Sequence, residues 1–139
     1  GSIEALEAES LALTLASRSL GPRTARTPGA THARQRLVDR AKLLLASDLG
    51  RRWTLADIAR EVGGSAVYLT QAFRQVEGMP LYRYQLQLRL ARALDLLASD
   101  IDLSSLAQDL GFSSHSHFAA AFRQAYGRSP SEFRAAADR

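Results

Sequence analysis

The feature that most limits how this chain can fold is an internal repeat. Leu55 to Tyr84 reads LADIAREVGGSAVYLTQAFRQVEGMPLYRY, and Leu103 to Phe133 reads LSSLAQDLGFSSHSHFAAAFRQAYGRSPSEF. At an offset of 48, Leu55, Ile58, Ala59, Val62 and Gly63 align with Leu103, Leu106, Ala107, Leu110 and Gly111. After one extra residue in the second copy, Leu69, Ala72-Phe73-Arg74-Gln75, Gly78 and Tyr84 align with Phe118, Ala121-Phe122-Arg123-Gln124, Gly127 and Phe133. Apolar matches alone are common between Ala- and Leu-rich helices. A repeated AFRQ with both flanking glycines in register is not, so the chain carries one supersecondary unit twice.

Each copy reads as helix, glycine turn, helix. Leu55, Ile58, Ala59 and Val62 have the i, i+3, i+4, i+7 spacing of one helix face, with Thr54 as N-cap and Asp102 in the same place in the second copy. Gly63 and Gly111 supply the turns, where a positive φ costs glycine little. Ser65 and Ser113 stand as starts of the second helices, whose inward faces are Leu69, Ala72, Phe73, Val76 and Phe118, Ala121, Phe122, Ala125. This is a helix-turn-helix, a motif whose second helix can enter the DNA major groove. Between the copies, Leu81 to Ala98 is apolar on nearly every side and is expected to be a buried connector packing against both.

The rest of the chain divides around that frame. Ile3 to Leu20 reads as a helix closed by Gly21-Pro22, with Leu6, Leu13 and Leu20 seven apart, too short a seam to claim a coiled coil. Residues 1–20 are therefore an N-terminal helix, residues 21–31 (a stretch with two Pro, two Gly and no large apolar residue) a linker, and residues 32–139 the repeat-bearing domain. No alternating strand pattern occurs, so the fold is all-α. Gly1-Ser2 does not resemble a signal peptide and reads as a cloning scar on a fragment; a cytosolic protein is expected.

Composition narrows the chemistry. The chain has 139 residues, no cysteine and a net charge of +4, with seventeen of its eighteen basic residues Arg and only Lys42 a Lys. The missing cysteines exclude disulfides, Cys-ligated zinc and thiol nucleophiles. The three Glu and one Arg of residues 1–22 leave +6 on the remainder. Arginine forks suit phosphates and guanine edges, although a GC-rich genome writing Arg for Lys would give the same count. No Ser/His/Asp constellation, phosphate-cradling glycine loop or paired carboxylates point to an enzyme, and no cofactor is expected. His115 and His117 are two apart, without the i, i+4 spacing of a helical metal pair.

The outward stripe of the second helix is Val67, Thr70, Gln71 and Arg74 in the first copy, and Ser116, Ala119, Ala120 and Arg123 in the second, flanked by Tyr68, His115 and His117. Gln can bond adenine N6/N7 in bidentate fashion, and Val, Thr or Ala can pack on a thymine methyl. Arg74 and Arg123 lie deeper along their helices, where phosphate contact competes with base contact. Arg51, Arg52, Arg83 and Arg128 lie near expected helix ends and are phosphate candidates, with a solvated surface role as the alternative. Phe73, Phe122, Tyr84, Phe133 and Trp53 are expected in the core. Arg89, inside the apolar connector, is expected to cap a helix or pair with a buried carboxylate such as Asp57 or Asp109. The competing function is a helical protein–protein module in which the arginines merely solubilise.

These residues resemble the DNA-binding domain of the AraC/XylS family of bacterial transcription regulators. The connector matches Y-x4-R-x3-A-x2-LL at Tyr84, Arg89, Ala93, Leu96 and Leu97; the second copy matches IA-x3-GF and F-x3-F-x4-G-x2-P-x2-[YF]-R at Leu106-Ala107, Gly111-Phe112, Phe118, Phe122, Gly127, Pro130 and Phe133-Arg134. Leu106 departs from the usual Ile, and Gly64 from a larger residue. The resemblance covers roughly His32 to Ala137. It implies seven helices, two recognition helices read into adjacent major-groove segments on one face of promoter DNA, and base contacts from the outward stripes. It also implies RNA polymerase as a partner, and a separate sensing and dimerising domain of which Ile3 to Leu20 is the last helix. Homodimerisation through that helix or the missing domain follows from the same resemblance.

Overall fold

The computed structural model describes Leu6 and residues 28–137. Residues 28–137 form seven helices and no strand: α1 (Pro28–Ser47), α2 (Leu55–Val62), α3 (Ala66–Glu77), α4 (Leu81–Leu96), α5 (Leu103–Asp109), α6 (His115–Tyr126) and α7 (Pro130–Ala137). The all-α expectation holds. The expected N-terminal helix lies outside the described residues except for Leu6, which is helical and buried. Because α1 starts at Pro28, the last four residues of the stretch read as linker are helical. Proline suits the first turn, where its missing N–H has no intrahelical acceptor.

Two apolar cores form, one per repeat. In the first, Leu37, Val38, Ala41 and Leu45 of α1 meet Trp53, then Leu55, Ile58, Ala59 and Val62 of α2, Leu69, Ala72 and Phe73 of α3, Leu81 of α4, and Leu6. In the second, Leu90, Ala93 and Leu97 on and just after α4 meet Leu106, Ala107, Leu110 and Phe112, then Phe118 and Phe122 of α6. Each fully buried Leu, Ile or Phe contributes about 1.5–3 kcal/mol relative to exposure. Of the repeat positions, Leu55, Ile58, Ala59, Val62, Leu69, Ala72 and Phe73 are buried in the first core and Leu106, Ala107, Leu110, Phe118 and Phe122 in the second, whereas Leu103 and Ala121 are half-buried and Ala125, expected on the inward face, is exposed.

The connector departs from its expectation in one respect. Its buried line is Leu81, Gln85, Arg89, Ala93 and Leu97, spaced four apart, with Leu90 beside it. Leu86, Leu88, Leu94 and Leu96 are only half-buried and Ala91 is exposed. The leucines run round the helix, but only the i+4 ridge faces protein along the whole length of the connector. As a result α4 joins both cores while presenting two polar side chains, Gln85 and Arg89, to the interior.

Candidate nucleic-acid interface

Helix α3, the second helix of the first unit, is set by its caps. Thr54 opens α2 with a reciprocal cap: its Oγ1 accepts from the Asp57 N–H at 3.0 Å, and its own N–H donates to Asp57 Oδ2 at 3.4 Å. Gly63 ends α2 at φ 86°, and Gly63 and Gly64 both donate to the Ala59 carbonyl, at 2.9 and 3.0 Å. Ser65 then caps α3, its Oγ accepting from the Tyr68 N–H at 3.1 Å. Helix α1 lies along α3 and braces it. Lys42 Nζ bonds Glu77 Oε1 at 2.8 Å, and Arg40 Nη2 donates to the Val62 carbonyl at 3.0 Å. The bond to Glu77 raises the Lys42 pKa above its usual value.

Tyr68 and Arg74 are exposed, and Val67 and Gln71 are half-buried beside them, so these four remain on an accessible face. Thr70 does not: it is 5% exposed and its hydroxyl donates to the Ala66 carbonyl at 2.9 Å. The buried side of α3 is wider than the periodicity of α3 alone indicates, and Thr70 falls within it. Its assignment to base reading is corrected to helix packing.

The second unit keeps the plan with one shift. Asp102 caps α5 by accepting from the Ser105 N–H at 3.1 Å, and Gly111 makes the turn at φ 89°. The cap of α6 is Ser114, not Ser113: Ser114 Oγ accepts from the His117 N–H at 3.0 Å. The extra residue of the second turn moves the helix start along by one. Ser113 instead lies with its Oγ 3.2 Å from His117 Nδ1. His115, Ser116, Ala120 and Arg123 are exposed, whereas Ala119 and His117 are half-buried, His117 with its ring edge-on to Phe112.

The cations fall into two groups. Arg52, Arg74, Arg83 and Arg128 are exposed, and the exposed Arg51 places its guanidinium 3.7 Å from the Trp53 ring centroid, a cation–π stack that orients it. Arg123 is already engaged, its Nη2 lying 2.9 Å from Glu132 Oε1. Glu132 closes a second reciprocal cap, accepting from the Ser129 N–H while its own N–H donates to Ser129 Oγ. Hydrogen bonds to its carboxyl from the Ser129 side chain and backbone, with the nearby charges of Arg123 and Arg128, hold Glu132 below its usual pKa. The Ser-x-x-Glu spacing at Ser129 was a readable signal for this cap.

Arg89 also departs from its expectation. It contacts neither Asp57 nor Asp109 through an ion pair; its Nε and Nη2 donate to the carbonyls of Leu49 and Arg51 at 2.7 and 3.0 Å. Asp57 is held by Thr54 and Arg60 instead. Among the described residues, no group of three or more His, Asp or Glu side chains is placed to hold a metal ion, and no helix is long and apolar enough to cross a membrane.

Known proteins share this arrangement. The family model described as a helix-turn-helix domain matches residues 58–136, more than half of the chain. The transcriptional activator RhaR of Klebsiella pneumoniae is 34% identical over 108 residues, covering 77% of this chain and 38% of its own length. The Msm operon regulatory protein of Streptococcus mutans is 32% identical over 98 residues, 70% of this chain and 35% of that protein. The chain thus spans well under half the length of these relatives. A crystal structure of a transcriptional regulator with an AraC-type DNA-binding domain, from Chromobacterium violaceum, matches with a TM-score of 0.68 at 32% identity, over 73% of this chain and 91% of that one. The duplicated, glycine-turned, N-capped frame and these matches together place the chain in the AraC/XylS family, as a DNA-binding domain of the double helix-turn-helix type.

Proposed function

We propose that the chain binds double-stranded promoter DNA sequence-specifically, inserting α3 and α6 into adjacent major-groove segments, and so serves a cytoplasmic transcription regulator. The observation that carries this reading is the pair of N-capped helices in equivalent positions of the repeat, each buried on its repeated apolar face and accessible on the opposite one. Val67, Tyr68 and Gln71 on α3, and His115, Ser116, His117 and Ala120 on α6, are the base-reading set. Arg51, Arg52, Arg74, Arg83 and Arg128 contact phosphate; Arg123 joins them by exchanging Glu132 for a phosphate oxygen. Gln71 is the one bidentate amide in the set, so the first unit carries more of the hydrogen-bonded discrimination.

The wider protein follows the same reading. Residues 1–20 belong to a sensing or dimerising part, residues 21–27 join it to α1 of the DNA-binding domain, and RNA polymerase is the partner at the promoter. Selection of bound duplexes from a random pool tests the central claim. A two-part asymmetric site is expected, with binding that weakens steeply as salt is added through counterion release. Recovery of no preferred sequence at any salt concentration overturns it.

A further inference from the structure

The two cores share no side chain, so apolar packing alone leaves the angle between the units to the connector helix. On α4 the two cores interleave: Leu86 packs on the second core, Leu88 on the first, and Leu90 belongs to the second. Arg89 stands between Leu88 and Leu90, fully buried. Its guanidinium reaches sideways to the Leu49 and Arg51 carbonyls, in the loop that joins α1 to α2 of the first unit.

The same guanidinium lies against the turn of the second unit. A Cβ on Gly111 would sit 2.6 Å from Arg89 Nη2 and 3.1 Å from the Gly50 carbonyl oxygen. A Cβ on Gly50 would collide with the Asp109 carbonyl at the end of α5. Connector, first-unit loop and second-unit turn therefore meet around one side chain, and two glycines allow the approach. An arginine is a demanding way to fill this position. Burial and the nearby charge of Arg52 push its pKa down to about 10, and Nη1 has no hydrogen-bond partner. An aliphatic side chain avoids that desolvation. What it cannot do is hold two carbonyls in fixed directions, as the planar guanidinium fork does.

We propose that Arg89, with Gly50 and Gly111, locks the two units together and sets the offset between α3 and α6, making Arg89 a positioning residue for the spacing of the two DNA segments read. The inference rests on the DNA-binding reading above. A locked pair of recognition helices accepts one spacing, because half-sites must present their grooves at a fixed distance and rotation. A loosened pair accepts several and binds its best one less well, since ordering the units then falls to the binding step.

The test uses the full chain, the selected duplex, and duplexes with one or two base pairs inserted or deleted between the two contacted segments. The wild type is expected to discriminate against a one-base-pair change on the order of 10- to 100-fold, as for a well-read mismatch. In Arg89→Met that ratio is expected to fall by about tenfold, mainly through loss at the optimal spacing. Arg89→Lys, which keeps the charge and stem but loses the fork, is expected to fall between. Far-ultraviolet circular dichroism and emission from Trp53, buried in the first core, establish that each variant is folded. A merely structural role predicts equal losses at every spacing, and an unchanged spacing ratio in folded Arg89→Lys and Arg89→Met overturns the lock. A wild type that selects no duplex overturns the DNA-binding reading instead, which separates the two failures.

Discussion

The first helix-turn-helix unit is held by polar bracing and the second by aromatic packing, although the two were built from one repeat. In the first, α1 supplies Lys42 to Glu77 and Arg40 to the Val62 carbonyl, and Phe73 meets Tyr84 edge-on as the unit's one aromatic pair among the described residues. In the second, Phe112, Phe118, Phe122, Tyr126 and Phe133 form a continuous series of ring contacts 4.8–5.9 Å between centroids, and α7 rather than α1 provides the support. Arg134 of α7 donates to the Leu97 carbonyl just beyond the end of α4, as Arg40 does at the end of α2. The frame positions repeat because both units must bury the same two helix faces. The braces differ because each unit has a different third helix available.

The largest expected effect breaks that comparison at its cores. Phe122→Ala is expected to cost about 3–5 kcal/mol, the range for a buried aromatic truncated to Ala. Because Trp53 is buried in the first core only, denaturant unfolding followed by its emission is expected to lag behind the loss of helix signal in this variant. Coincident transitions by both probes would show instead that the units unfold as one.

Base reading comes next. Gln71→Ala is expected to lose roughly 1–3 kcal/mol on the selected site and to relax preference at one base pair. Ala120→Gly, removing a single methyl from the equivalent face of α6, is expected to lose less and to relax no hydrogen-bonded position. Equal relaxation in the two variants, measured by repeating the duplex selection, would remove the division of labour between the units. At the helix starts, Thr54→Ala and Asp102→Ala are each expected to destabilise by about 1 kcal/mol in thermal unfolding. The Thr54 change should be the more costly, because its cap is reciprocal.

The smallest effect concerns the tethered cation. Glu132→Gln is expected to free Arg123, with a modest gain in affinity and a salt slope steeper by about one. Lowering the pH acts in the same direction. The Glu132 carboxyl has a folded pKa below its usual 4.5, so its contribution to the α7 cap is present above that value and is lost as pH falls through the folded one. An unchanged salt slope in Glu132→Gln would leave Arg123 outside the phosphate set.

Periodicity and caps were legible in the chain because they depend on neighbours three or four residues away. Leu55, Ile58, Ala59 and Val62, the turn glycines, and the Thr54 and Asp102 caps are all where their local pattern put them. Ser114 replaced Ser113 as a cap because two adjacent serines offer the same side chain, and only the path of the longer turn chooses between them. Thr70 went inward for a different reason: the width of a buried face depends on what packs against the helix, and the sequence of α3 contains no record of its tertiary neighbours.

The all-α class and a doubled helix-turn-helix joined by a connector helix are therefore what the amino-acid order determined by itself, through patterns of period 3.6 and residues that cap or turn the backbone. The tertiary structure decided where polar side chains found partners far along the chain. Arg89 bonds carbonyls 38 and 40 residues away, and Lys42 bonds a carboxylate 35 residues away. A buried donor must be satisfied by whatever acceptor the folded chain brings near it, and backbone carbonyls, present at every residue, leave no mark in a sequence to show which will serve.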